Sequence, residues 1–422
     1  MHSQNIKTYQ DIIIGAGVSG LSYAGFIPHD DYLILEKEPE IGGYCRTIKR
    51  DGFVWDYSGH FFHFRDSEIE KCIRQGMDPD TLRSVNKQTQ IRYKDRYVDF
   101  PFQKNIHQLE KSELVDCLYD FYFREKKEWS TFKEMLYGKL GRAISEKFLI
   151  PYNEKLYACD LNTLDHRAMD RFFPEVALEG IIRNFKTPDN PSYNATFTYS
   201  SGGAVEYIHS LSQRVREDRI RTSEEVVGIN LQRKVITTTK SEYGFKHLVS
   251  SIPLVRLMEL CDLHYDPSIY SWNQVLVFNL GFDGKGRDIK NHWIYFPEDK
   301  YVFYRVGYYD NILNQDRMSL YVEIGFPKDA HINVDASFRR VMTDLKKAGT
   351  VTDQRLVDYH SVIMDPAYVH IRPESMDDVP KKLSDLHRKY VYSIGRYGGW
   401  KYCSIEDNII EAKNLADSLY DT

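Results

Sequence analysis

A chain of 422 residues is too long for one compact core and fits about two or three domains, which 42% hydrophobic residues suffice to fill. With 56 basic and 61 acidic side chains the net charge is -5, so nucleic acid finds no general attraction and any anion site must be local. Cysteines 45, 72, 117, 159, 261 and 403 are scattered without a Cys-x-x-Cys pair, which argues against a zinc cluster or a redox dithiol and for reduced thiols.

The first residues, Met1-His-Ser-Gln-Asn-Ile-Lys7, are polar and carry no apolar signal core. No stretch approaches the roughly 18 apolar residues of a membrane span, so a cytoplasmic location is the default expectation. The apolar run Asp11-Ile-Ile-Ile14 then leads into Gly15-x-Gly17-x-x-Gly20, and a second apolar run, Tyr32-Leu-Ile-Leu35, ends at Glu36. Strand, glycines, helix and acid at this spacing form the signature of a dinucleotide-binding βαβ unit. Gly15 permits the tight turn, Gly17 lets backbone reach a pyrophosphate, and Gly20 lets the helix pack on the strand. Ser19 lies in the same phosphate-facing turn, and Glu36 is placed to accept from ribose hydroxyls. Beyond it, Gly42-Gly43-Tyr-Cys-Arg46 supplies a second phosphate-approach loop that a simple NAD domain lacks, so the nucleotide is read as FAD, with Gly43 and Arg46 beside it.

Phe53 to His60 reads as a short strand and a glycine turn that puts His60 at a ligand-facing edge, although a lone histidine is more often structural. His60-Phe-Phe-His63 mimics half a metal site, but no further ligands stand at suitable spacing and metal is rejected. From Ser112 to Asn184 apolar residues recur with helical spacing, in Leu114 to Phe121 and again from Ala168 to Ile182. Ser200-Ser-Gly-Gly-Ala204 starts a helix to Arg216, and short strands follow at Glu225 to Leu231, Val235 to Thr239 and Leu248 onward. Between Trp272 and Asp365 strand-like runs dominate, at Gln274 to Leu280, Trp293 to Phe296, Val302 to Val306 and Ser319 to Ile324. Tyr390 to Gly399 gives a buried strand and a glycine turn, and a closing helix runs from about Ile405 to Tyr420. Asp407 and Asn408 sit at its start, where they can face a flavin or cap the helix. The expected fold is α/β: an FAD-binding dinucleotide-type domain assembled from residues 1–110, 191–265 and 386–422, a helical insert over 111–190, and an antiparallel β-sheet substrate domain over 266–385.

Trp293-Ile-Tyr-Phe-Pro-Glu-Asp-Lys-Tyr-Val-Phe-Tyr-Arg305 resembles the segment of eukaryotic-type UDP-galactopyranose mutases that brings a tyrosine and an arginine to the substrate diphosphate. Other stretches agree in order and spacing and extend the resemblance over nearly the whole chain. Phe100-Pro-Phe-Gln103 is similar to the family's uridine-side segment, with Phe100 where tyrosine is usual, and Pro151-Tyr-Asn153-Glu-Lys-Leu-Tyr157 to a helix that elsewhere ends in tryptophan. Arg171 lies within one position of the other diphosphate arginine, Asn194-Ala-Thr-Phe resembles a substrate-contacting loop, and Tyr368 falls where a further diphosphate tyrosine is expected. Gly395-Arg396-Tyr-Gly-Gly-Trp400-Lys-Tyr402 resembles the C-terminal flavin and substrate motif. Ile312 replaces a family tyrosine, and with Phe100 and Tyr157 this departure keeps a different nucleotide sugar in view.

The resemblance implies a mutase that interconverts pyranose and furanose nucleotide sugars, in which N5 of reduced FAD attacks the anomeric carbon, with NAD(P)H as external reductant and no net redox change. It implies Arg171, Arg305, Tyr295, Tyr368 and Tyr402 as the diphosphate clamp, His60 beside the flavin, and Phe100, Gln103, Asn153, Tyr157 and Asn194 as further substrate contacts. Arg396, Asp407 and Asn408 are implied on the flavin. The expected partner is a small nucleotide sugar, with no nucleic acid and no membrane span, and a homo-oligomer is compatible with the sequence. An amine or protoporphyrinogen oxidase of the same nucleotide fold, and a flavoprotein without catalytic activity, are the competing readings.

Overall fold

The structure, a computed structural model, describes residues 6–125, 128–173, 175–190 and 195–420. Strand Lys7–Ile14 is flanked in parallel by Tyr32–Leu35 on one side and Glu242–Ser250 on the other. Ile12, Ile13, Leu33 and Ile34 are fully buried, as strands covered on both faces require. The sheet continues through Val235–Thr238 and Val226–Asn230 at one edge and Ile220–Arg221 at the other, while Val391–Ser393 pairs in parallel with Glu242–Ser250. Helix Val18–Phe26 packs against the closing helix Ile405–Tyr420, so the first and last elements of the chain build one nucleotide-type layer.

The second sheet has seven strands in the order Leu356–His370, Ser271–Phe282, Ser319–Pro327, Arg305–Tyr308, Trp293–Tyr295, Thr89–Tyr93 and Arg96–Asp99. Its last two strands come from the segment that the sequence groups with the nucleotide domain. Trp293–Tyr295 pairs in parallel with Thr89–Tyr93, and Ile91 and Val98 supply apolar surface to the second core. Helix Val334–Ala348 covers this sheet, with Val341 and Leu345 buried and Phe338 5.7 Å from Phe278.

Helices Lys111–Tyr122, Phe132–Leu140 and Ile150–Tyr157 form the insert. The continuous helix expected from Ala168 to Ile182 is absent: a short turn covers Asp170–Phe172 and a helix starts only at Leu178. Pro174 lies inside that stretch of sequence, and proline removes a backbone donor and bars the preceding residue from the helical region. Among the described residues no helix is long and apolar enough to cross a membrane.

Candidate active site

A cavity of about 660 Å³ opens beside the C-terminal end of the first strand. It is lined by Gly15, Gly17, Ser19, Glu36, Gly43, Arg46, Arg396 and Asn408 from the expected set. Gly15 holds φ +97, a left-handed conformation that glycine adopts freely. Gly17 caps helix Val18–Phe26 without any side-chain hydrogen bond, so the first N–H groups of the helix remain open to an anion. A side chain at Gly43 would lie 3.6 Å from Gly17 Cα, filling the cradle between the two glycine loops. Gly20 faces the strand instead, where a Cβ would collide with the Gly15 carbonyl.

Glu36 accepts from the N–H groups of Ala16 at 2.8 Å and Glu38 at 3.0 Å, one on each carboxylate oxygen. Each oxygen keeps a second lone pair for a ribose hydroxyl. Asn408 Oδ1 accepts from the Arg396 N–H at 2.8 Å and from Ser19 Oγ at 3.2 Å, joining three expected cofactor residues. Asp407 takes the helix-start role of the two expected for it. It does not line this cavity but accepts from the Ser404 N–H at 2.7 Å at the helix start, and its carboxylate bridges Arg65 and Arg171. The glycine cradle, the Glu36 carboxylate and the buried, unpartnered Arg396 Nε together suit the ADP and ring portions of an FAD.

A second cavity of about 810 Å³ meets the first at His60, Arg396 and Cys403 to Ile405. Tyr295, Arg305 and Glu323 are direct neighbours on three adjacent antiparallel strands, and opposed residues share a face, so their side chains stand abreast. Arg305 Nε and Nη2 donate to the two Glu323 oxygens at 2.6 and 2.7 Å, and the Ser58 hydroxyl donates to the same carboxylate. Burial alone would loosen the Arg305 proton, but the adjoining carboxylate holds its pKa above the ordinary value. The charge is therefore permanent, and one side of the guanidinium fork is fixed by Glu323.

Arg396 is stacked 5.0 Å from the ring of Tyr368 and 4.5 Å from that of Tyr402, and these rings lie 6.1 Å apart in parallel. Arg171, paired with Asp407, lines the cavity with Phe172 and Phe173, and the Phe172 ring lies 4.8 Å from that of Tyr402. Asn153 and Tyr157 enter from helix Ile150–Tyr157, and Phe100 from the second sheet's edge, its ring 5.4 Å from Tyr295. Gln103 is a correction: it is buried and does not line the cavity, because the turn at Phe102–Lys104 presents Lys104 instead. Asn194 lies outside the described residues. Ile312 packs in the core and touches neither cavity.

Burial, reinforced by the Arg396 guanidinium, pushes the His60 imidazole down to about 4, so it stands neutral at pH 7, and its Nδ1 has no protein partner. Burial holds His292 and His370 at about 4 as well, and His292 Nδ1 accepts from the Gln88 N–H at 3.0 Å, which only the neutral ring can do. Unfolded, these rings titrate near 6.5. Between about pH 6.5 and 4 the unfolded chain therefore binds more protons, and stability falls as pH falls. Buried Asp56, raised to about 6, opposes the three histidines over part of that range. Thermal melts should move down between pH 7 and 4.5. A constant or rising melting temperature would contradict the neutral assignments.

Sequence reading singled out neither the lining residues Tyr321, Tyr152 and Lys104 nor Glu323, which is buried behind Arg305. Tyr321 lies with its hydroxyl buried and unpartnered and its ring 5.7 Å from the Arg305 guanidinium. Glu323 carried one available signal, an acid within the apolar run Leu320-Tyr-Val-Glu-Ile324, where a buried charge demands a partner.

The family model of flavin containing amine oxidoreductases matches residues 19–370. Among solved structures, a reduced UDP-galactopyranose mutase superposes with a TM-score of 0.90 at 22% identity, over 97% of this chain and 95% of that one. A protein from Exiguobacterium sp. 255-15, provisionally named a protoporphyrinogen oxidase, gives 0.77 at 16% identity over 98% of each chain. Cyclohexylamine oxidase from Brevibacterium oxydans IH-35A gives 0.67 at 13% identity over 97% and 99%. These likenesses establish the fold.

Proposed function

The chain belongs to the flavin containing amine oxidoreductase family, and from that premise we propose that it binds FAD and, with the cofactor reduced, interconverts pyranose and furanose forms of a nucleotide sugar, most simply UDP-galactopyranose and UDP-galactofuranose. The observation that carries this reading is the convergence of Arg171, Arg305 and Arg396 with Tyr157, Tyr295, Tyr368 and Tyr402 around a cavity that meets the cofactor cavity at His60. Arg396 has no carboxylate partner among the described residues, and Arg305 and Arg171 keep N–H donors beyond those bound to Glu323 and Asp407, so the cluster suits a diphosphate, each charge-assisted hydrogen bond contributing about 1.5 to 3 kcal/mol. The Arg396 charge, not balanced by a carboxylate among the described residues, disfavours a cationic amine and with it an oxidase of the amine type.

Bound and reduced, FAD supplies a nucleophilic N5 for the anomeric carbon of the sugar. Arg305 and Arg171 hold the leaving diphosphate in place, so that it recombines with the rearranged sugar at high effective concentration. The tyrosine hydroxyls donate to the same oxygens, and neutral His60 borders the reacting ring without adding charge. Phe100 and Lys104 line the same cavity, and we assign the nucleoside to them. NAD(P)H remains the expected source of electrons.

Dithionite-reduced protein, kept anaerobic with UDP-galactofuranose, should yield UDP-galactopyranose by chromatography, and oxidised protein should not. Equal turnover in both redox states would rule out the reduced-flavin chemistry. Binding of UDP without conversion would redirect the search to another nucleotide sugar, and absence of both would favour the oxidase reading.

A further inference from the structure

Helix Ile150–Tyr157 lines the substrate cavity with Tyr152, Asn153, Leu156 and Tyr157, and among them carries a lysine that lines neither cavity. Lys155 Nζ donates to four backbone carbonyls: Phe296 at 2.8 Å, Glu298 at 3.2 Å, Tyr301 at 2.8 Å and Phe303 at 2.7 Å. All four belong to the loop that joins strand Trp293–Tyr295 to strand Arg305–Tyr308. The loop's first and last neighbours are thus Tyr295 and Arg305, the pair that faces the cavity. An ammonium has three N–H donors, so the four carbonyls saturate it, and their dipoles would repel one another without the cation. The lysine is consequently a charged pin between the cavity's helical wall and its sheet wall.

We propose that Lys155 is a positioning residue that sets the width of the diphosphate cleft, holding the Tyr295 and Arg305 hairpin at a fixed distance from Asn153 and Tyr157. The assignment rests on the nucleotide-sugar reading for its ligand but not for its mechanical content. A lysine that merely filled space would be replaced without loss by an apolar chain of equal length. Lys155 instead supplies charge where no apolar group can satisfy the carbonyls, and its removal frees the hairpin.

The test uses the FAD-loaded protein and the variants Lys155→Ala and Lys155→Met. In Lys155→Ala, amide hydrogen exchange across residues 296–304 should accelerate at least tenfold and UDP affinity should fall at least tenfold. Millimolar n-propylammonium, which replaces the deleted Cγ to Nζ atoms, should restore both, whereas n-propanol should restore neither. Lys155→Met, which fills the space without the charge, should show the same losses and no response to the amine. Exchange and affinity equal to wild type in either variant, or failure of the amine to restore exchange in Lys155→Ala, overturns the assignment. Loss of FAD from both variants also overturns it, since Lys155 would then serve the whole fold. A wild-type protein that binds no UDP would sink the nucleotide-sugar reading alone, because the exchange measurements still decide the role of Lys155.

Discussion

Arg305→Ala is expected to weaken UDP binding by at least tenfold, about 1.4 kcal/mol, with FAD still bound. The guanidinium is fixed by two hydrogen bonds to Glu323 and faces the cavity beside Tyr295, so its loss removes both charge and preorganisation. The variant should also be less stable, because Glu323 is fully buried and would keep only the Ser58 hydroxyl. Breaking a buried pair from one side costs about 3 to 5 kcal/mol, whereas removing both charges costs far less. Arg305→Met combined with Glu323→Gln should therefore recover much of the melting temperature and none of the UDP affinity. Calorimetric titration and thermal melts separate the two effects. Unchanged UDP affinity in Arg305→Ala would remove this residue from the clamp.

Gly20→Ala is expected to abolish cofactor retention and to lower the melting temperature steeply. A Cβ at this position collides with the Gly15 carbonyl, a backbone atom that cannot step aside without opening the strand from the helix. Gly17→Ala is the informative contrast. Its Cβ would meet nothing nearer than Gly43 Cα at 3.9 Å, so the fold should survive while the pyrophosphate loses its approach. Flavin absorbance per protein should be near zero in both, with a near-native melt of the apoprotein only for Gly17→Ala. Full flavin occupancy in Gly20→Ala would refute the packing role.

The nucleotide half was legible because its chemistry is local: glycines, helix and acid occupy a few turns of chain, and Gly15, Gly17, Ser19, Glu36 and Gly43 line one cavity. The substrate half draws on residues from Phe100 to Tyr402, and resemblance, not pattern, brought them together. Three kinds of information stayed hidden. Strand register was one, since Glu323 becomes the partner of Arg305 only when their strands align. Side-chain direction was another: Gln103 and Lys104 are adjacent in sequence, and the tight turn decides which faces the cavity. Competition between roles was the third, for Asp407 could serve flavin or helix, and Ser404, Arg65 and Arg171 claim it. Between the turn at Asp170–Phe172 and the helix from Leu178, a proline in the sequence overrides helical periodicity.

The three-strand alignment of Tyr295, Arg305 and Glu323 has a consequence for descent. A lineage that loses the arginine strands a carboxylate in the core, and one that loses the carboxylate strands a guanidinium, so neither single step is readily tolerated. The two positions should pass through evolution as one inherited character, both kept while an anionic substrate is used and both exchanged for neutral residues once it is abandoned. A relative with Arg and Glu at these places can be sorted from one with an apolar pair by sequence alone, and that sorting should follow substrate charge more closely than overall identity does.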